Sequence, residues 1–210
     1  MTIRLIKKPQ DIKSDKKKRE ESFWCWYNEI EKDICDKIIL SAKDASEWQT
    51  GKVGYGRRER QGVVSENRKT DVYFNNQNWI YDLVIPYMKE ANKNAGWNFD
   101  ISGMESYQIG RYSSDVSGHY DWHQDSLGTW NNINETSNKH LRGKTRKLSM
   151  SLMLNDDYEG GEFETWSSGK KKFKKGSMIF FPSWVLHKVN PVTKGTRYSL
   201  VVWFSGAPFR

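Results

Sequence analysis

Hydrophobic positions change period along this chain, and the change divides it. From Phe23 to about Ser41 the spacing is helical, with Ile30, Ile34 and Ile38 four residues apart. Segment 49–70 shows no apolar face. It carries Gly51, Gly54, Gly56 and Gly62 with Arg57, Arg58 and Arg60, which predicts a long loop. Asp71 to Asn75 reads as a short strand. Asn78 to Ala95 returns to helical spacing, with Trp79, Leu83, Tyr87 and Ala91 on one face, and Pro86 predicts a kink or an end within it. After Gly96 short apolar or alternating runs follow, parted by Gly, Asn, Asp and Ser: 99–112, 119–125, 146–154, 162–166, 177–181, 185–190 and 196–204. Such runs with turn signals between them predict an antiparallel sandwich or barrel. Residues 126–143 form a second long polar loop. The expected fold class is α+β: a charged segment 1–21, then a single domain over 22–210, with helical support in 22–98 and a sheet core in 99–210.

Composition narrows the function classes. A chain of 210 residues suits one core, and 36% hydrophobic content with ten Trp excludes a disordered chain. Apolar stretches such as Leu200 to Phe204 are too short to span a bilayer, and MTIRLIKKPQ has no apolar signal region. Cys25 and Cys35 make neither a metal-type pair nor a disulfide framework, so a reducing, cytoplasmic setting is expected. The net charge of +8 admits an acidic partner such as nucleic acid, but the basic residues are scattered and read first as solvated tails and loops. Lys170 to Lys175, with Phe173 inside, reads as an exposed hairpin end. Gly160-Gly161-Glu162 reads as a tight turn.

The chemistry-bearing pattern lies in the strand-rich half. Residues i and i+2 of a strand share a face, so a His-x-Asp pair can aim an imidazole and a carboxylate at one metal. Two such pairs occur, His119-x-Asp121 and His123-x-Asp125. His187 follows in a further strand-like run. Two His and one carboxylate on a β-scaffold make the facial triad of non-haem Fe(II) oxygenases. Arg197 and Ser199 share a face of the run Thr196 to Phe204. A guanidinium beside a hydroxyl suits a carboxylate, such as the distal one of 2-oxoglutarate.

Four stretches together carry a family resemblance: YQIGRYSSDVSGHYDWHQDS, RKLSMSLMLNDDYEGGEFETW, GSMIFFPSWVLHKVNPVTKGTRYSLVVWF and, more weakly, RKTDVYF. From about Arg68 to Phe204 the chain resembles the prolyl 4-hydroxylase-like branch of the Fe(II)/2-oxoglutarate-dependent oxygenases. The resemblance implies a double-stranded β-helix, or jelly roll, as the sandwich. It implies His123, Asp125 and His187 as iron ligands, because Tyr120 stands three residues before His123 as the family pattern asks, whereas Val116 precedes His119. It implies Arg197 and Ser199 as partners of the 2-oxoglutarate tail, Tyr112, Ser149, Ser151 and Met153 as co-substrate pocket positions, and Trp203 as an aromatic near the metal strands. The implied cofactors are Fe(II), 2-oxoglutarate and O2. The implied reaction hydroxylates a peptidyl residue, proline first, and releases succinate and CO2. Loops 49–70 and 126–143 are the candidates to close over substrate. Two alternatives stand: the same chemistry on a nucleic-acid base, against which no further Arg follows Arg197 until Arg210, and a non-catalytic β-sandwich binding module.

Overall fold

The computed structural model describes residues 21–42, 45–53, 66–126 and 139–209. The charged segment 1–21 therefore lies outside it but for Glu21, as do the central parts of both long loops. In chain order come β1 (Trp24–Trp26), α1 (Lys32–Leu40), β2 (Gln49–Thr50), β3 (Arg68–Lys69), β4 (Asp71–Asn75) and α2 (Asn78–Asn94). The sheet-rich half follows with β5 (Gly103–Met104), β6 (Tyr107–Ser113), β7 (His119–His123), β8 (Thr145–Met153), β9 (Glu159–Gly160), β10 (Phe163–Thr165), β11 (Gly169–Lys171), β12 (Met178–Pro182), β13 (His187–Val189), β14 (Val192–Lys194) and β15 (Thr196–Gly206).

The described strands form two main antiparallel sheets and a separate two-stranded one, β14-β9. The larger runs β1-β12-β8-β15-β6-β4-β2, with β5 also on β15; the smaller runs β11-β10-β13-β7-β3. This is the expected double-stranded β-helix with helices on one side. Period-two alternation explains how it holds together. Leu200, Val202 and Phe204 of β15 face one way with Leu148, Met150 and Leu152 of β8, and the helices bury that face. Each such side chain contributes about 1.5–3 kcal/mol on burial. The opposite face, with Met153, Ile179 and Phe181, meets Phe163 and Val189 of the smaller sheet.

Three local expectations are corrected. Residues 24–26 are not helical: β1 pairs with β12, Trp24 opposite Phe180 and Trp26 opposite Met178. Trp24 and Trp26 enter the helix-side core while Cys25 enters the inter-sheet core, a two-residue period hidden in a three-residue run. Helix α2 does not end at Pro86. Its buried stripe is Ile80, Val84, Met88 and Ala91, about one residue round from the expected face, so Trp79, Leu83 and Tyr87 flank it half-buried. Phe173 is buried between the sheets rather than exposed at a hairpin end; only the β11 part of that lysine run is a hairpin strand. Among the described residues no helix is long and apolar enough to cross a membrane.

Candidate active site

The metal-ligating candidates converge where β7 meets β13. His123 pairs directly with His187 across the ladder, and Asp125 follows the end of β7. Asp125 Oδ1 lies 3.8 Å from His123 Nε2, and Oδ2 lies 3.8 Å from His187 Nε2. One donor atom from each residue falls within 4.8 Å of the others. Both rings are oriented from behind. His123 Nδ1 meets the Asp121 carbonyl at 2.7 Å and His187 Nδ1 meets that of Val185 at 2.8 Å. A carbonyl only accepts, so each Nδ1 carries a proton, and each ring is held with Nε2 toward Asp125. Burial, then the neighbouring His187, pushes His123 down to about 3, which leaves a neutral imidazole at physiological pH. Burial also opposes charge on Asp125, but His187, His123 and Arg146 outweigh it and hold the carboxyl below its ordinary range.

A register shift in β7 separates the two His-x-Asp pairs. His187 faces His123, yet Val189 faces Tyr120, so β7 holds one extra residue. Strict alternation put His119 and Asp121 on the face of His123. The bulge brings Tyr120 there instead, stacked on the His123 ring at 3.5 Å between centroids. His119 is committed elsewhere, with its nitrogens on the carbonyls of Ser117 and Glu66.

A cavity of about 300 Å³ opens beside these ligands, between the sheets. Arg197, Ser199, Val201 and Trp203 of β15 line it, with Gln108 and Tyr112 of β6 and Ser151 of β8. Arg197 is 1% exposed. Its guanidinium donates to Ser199 Oγ at 3.0 Å and to Met153 Sδ at 3.2 Å, lies 5.2 Å from the Tyr112 ring centre, and has no carboxylate partner among the described residues. Gly161 keeps the space: at φ +64°, an added Cβ would lie 3.0 Å from Arg197 Cδ. Ser149 departs from its expected place. Its hydroxyl pairs with Ser183 Oγ at 2.9 Å and hydrogen-bonds Asp125, so it does not line the cavity.

Two further arginines border the cavity, and sequence reasoning assigned neither a role. Arg146 grips Glu105 through two hydrogen bonds, Nε at 2.6 Å, reaches the Asp125 carbonyl at 3.2 Å and lies over Trp203. Arg68 donates to the Lys52 carbonyl and Gln108 and covers the Tyr120 ring. The signal for Arg146 was masked by geometry. Phe204 pairs with Leu148 but Ser205 with Arg146, so a bulge at Lys147 reverses the facing of β8 just there.

Two imidazole Nε2 atoms and one carboxylate, on neighbouring strands with their rings fixed, fit a divalent iron that keeps open positions. A buried, uncompensated guanidinium in the adjoining cavity fits the far carboxylate of 2-oxoglutarate.

The profile of the 2OG-Fe(II) oxygenase superfamily matches residues 107–205. A PKHD-type hydroxylase of Pseudomonas fluorescens is 38% identical over 93 residues, which are 42% of this chain and 38% of the relative. PKHD-type hydroxylase PiuC of Pseudomonas aeruginosa is 35% identical over 91 residues, 41% of this chain and 38% of the relative. The matched stretch thus spans well under half the length of these curated relatives. Among solved structures, a viral collagen prolyl hydroxylase from Paramecium Bursaria Chlorella virus-1, in its 2OG complex, superposes with TM-score 0.65 at 17% identity over 89% of this chain and 97% of that one. A prolyl-4-hydroxylase of Pseudomonas putida gives 0.63 at 17% identity over 88% and 93%. A prolyl hydroxylase from Trichoplax adhaerens, in complex with a hypoxia inducible factor peptide fragment, gives 0.66 at 16% identity over 87% and 83%. The profile match over just under half of the chain, the ligand geometry and the shared jelly roll together make this chain similar to the 2OG-Fe(II) oxygenases, with a prolyl 4-hydroxylase-like fold.

Proposed function

We propose that this chain is an Fe(II)- and 2-oxoglutarate-dependent dioxygenase that hydroxylates a peptidyl residue, with proline the expected one. The observation that carries the reading is Arg197: a fully buried cation whose hydrogen-bond partners among the described residues are a hydroxyl and a thioether, with no carboxylate, in the same cavity as His123, Asp125 and His187. A buried charge without a counter-charge is costly, and a dicarboxylate co-substrate supplies one. When bound, Fe(II) with 2-oxoglutarate and O2 supplies the oxidation, converting 2-oxoglutarate to succinate and CO2 as a substrate C–H becomes C–OH.

The chain's own residues bind, orient and exclude. His123, Asp125 and His187 hold the metal, with the Asp121 and Val185 carbonyls fixing both rings. Arg197 and Ser199 receive the distal carboxylate while the Tyr112 ring walls it in. Phe163, Phe181 and Val189 close the inner wall against water. The peptide substrate rests on the relatives' descriptions, since the solved neighbours include collagen and hypoxia-factor prolyl hydroxylases. The unpaired thiols Cys25 and Cys35 suit a reducing, cytoplasmic setting. The test supplies iron, 2-oxoglutarate and O2 with proline-rich peptides or methylated oligonucleotides, and follows succinate and product mass. Oxygen added to peptide is the expected result. Demethylated oligonucleotide beside untouched peptide transfers the chemistry to nucleic-acid bases. No succinate with either leaves only a binding module.

A further inference from the structure

The charges around the cavity do not balance once metal and co-substrate are assigned. Resting on the reading above, Arg197 is matched by the distal carboxylate of 2-oxoglutarate. Arg146 is matched by Glu105 through two hydrogen bonds. The metal's two charges are offset by Asp125 and by the keto-acid carboxylate. Arg68 remains. It is 91% buried, borders the cavity and, among the described residues, donates only to neutral acceptors, the Lys52 carbonyl at 2.8 Å and Gln108 Oε1 at 3.2 Å. Its guanidinium lies 4.5 Å from the centre of the Tyr120 ring, which stacks on His123, so it sits one ring away from the metal ligands. A guanidinium has five N–H donors, and two are used here. Nε also lacks a partner but faces Gly51, where an added Cβ would lie 2.7 Å from it, so the spare donors that can meet a ligand are on the terminal nitrogens. The Lys52 side chain, also at the cavity wall, adds a second positive charge beside it.

We propose that Arg68 is a substrate-binding residue that receives a carboxylate of the substrate, and that this chain accordingly selects acidic substrates, in which a carboxylate lies close to the hydroxylated carbon. A planar fork matches a carboxylate through two parallel hydrogen bonds, and the surrounding burial strengthens such a pair. The cavity is at the small end for a ligand site, which favours a single acidic residue over a nucleotide phosphate beside 2-oxoglutarate. The carboxylate has two sources, the chain terminus of the substrate or an acidic side chain next to the target.

The experiment loads the full chain with Co(II) and 2-oxoglutarate and titrates two matched pairs: N-acetyl-L-proline against its amide, and a pentapeptide containing Asp-Pro against one containing Asn-Pro. The first pair reads a terminal carboxylate and the second a side-chain one. The expected result is a preference on the order of tenfold for the acid member of one pair, lost in Arg68→Gln and partly kept in Arg68→Lys. The Co(II) spectrum and 2-oxoglutarate affinity of both variants should match those of the unaltered chain. That match separates a contact to substrate from a strut behind Tyr120. Equal affinity within both pairs, no binding of any probe, or a preference that survives Arg68→Gln overturns the proposal. So does a methylated trinucleotide that outcompetes every peptide. In each case the Co(II) and 2-oxoglutarate titrations report independently on the oxygenase reading.

Discussion

Arg197 keeps its charge where solvent does not reach, and its partners are Ser199 Oγ and Met153 Sδ. Its contribution to folding is therefore poor, while its contribution to an arriving dicarboxylate is large. Removing one member of a buried charge-assisted pair costs about 2–5 kcal/mol of binding. Arg197→Ala is accordingly expected to weaken 2-oxoglutarate binding by at least about thirtyfold at unchanged Co(II) affinity. Calorimetric titration of both ligands checks this, and an unaltered 2-oxoglutarate affinity removes the assignment. Ligand identity is tested at the same scale. His123→Ala should abolish Co(II) binding, because it removes one of three converging donors. His119→Ala should leave it intact, since both of that ring's nitrogens are held by backbone carbonyls. The reverse outcome would mean that the site uses the other pair.

At the scale of elements, the turns carry as much of the site as the strands do. β9 and β10 are joined through Gly160 and Gly161, both at positive φ. An added Cβ on Gly161 would lie 3.0 Å from both Arg197 Cδ and Val192 Cγ2, and the left-handed backbone adds strain of its own. Gly161→Ala should cost about 1–3 kcal/mol of stability and also loosen 2-oxoglutarate, because Arg197 must move. Denaturant unfolding and the same titration read the two effects. A variant that is destabilised yet binds 2-oxoglutarate normally would show that the turn does not position Arg197. The bulge in β7 is the corresponding device on the smaller sheet. It brings Tyr120 onto the His123 ring and turns His119 away.

For the whole molecule, enclosing the site between two sheets links stability to pH. His123 is pushed down from about 6.5 to about 3, so between these values the unfolded chain takes up a proton that the folded one refuses. Stability from this group is complete above about 6.5 and falls as pH drops toward 3. At pH 5 the loss amounts to about 2 kcal/mol, 1.5 pH units at 1.36 kcal/mol each. Asp125, held below its ordinary range, acts in the same direction at lower pH. Denaturant melts without added metal should show the loss between pH 7.5 and pH 5, and His123→Ala should flatten it. Co(II) should restore stability at pH 7.5, since a ligand that binds only the folded state stabilises it by mass action.

Local pattern by itself determined several elements of this protein, because side-chain spacing and backbone period are one quantity read two ways. Asp71–Asn75, the helix from Asn78 and the alternation of Arg197, Ser199 and Leu200 to Phe204 were all legible from their residues. The residue set from Tyr120 to Arg197 stood out through its resemblance to the prolyl 4-hydroxylase-like oxygenases, and the fold brings His123, Asp125 and His187 of that set together. Tertiary structure decided what depends on phase and on partners. Trp24 to Trp26 became a strand because β12 offered an edge to pair with. Single inserted residues in β7 and β8 reversed which side chains face inward, bringing Tyr120 and Arg146 to the cavity and taking His119 away. A bulge leaves no mark in hydrophobic spacing, for it is defined by what lies opposite. That Arg68 meets no counter-charge among the described residues was equally invisible, because a charge is unpaired only relative to neighbours that folding assembles.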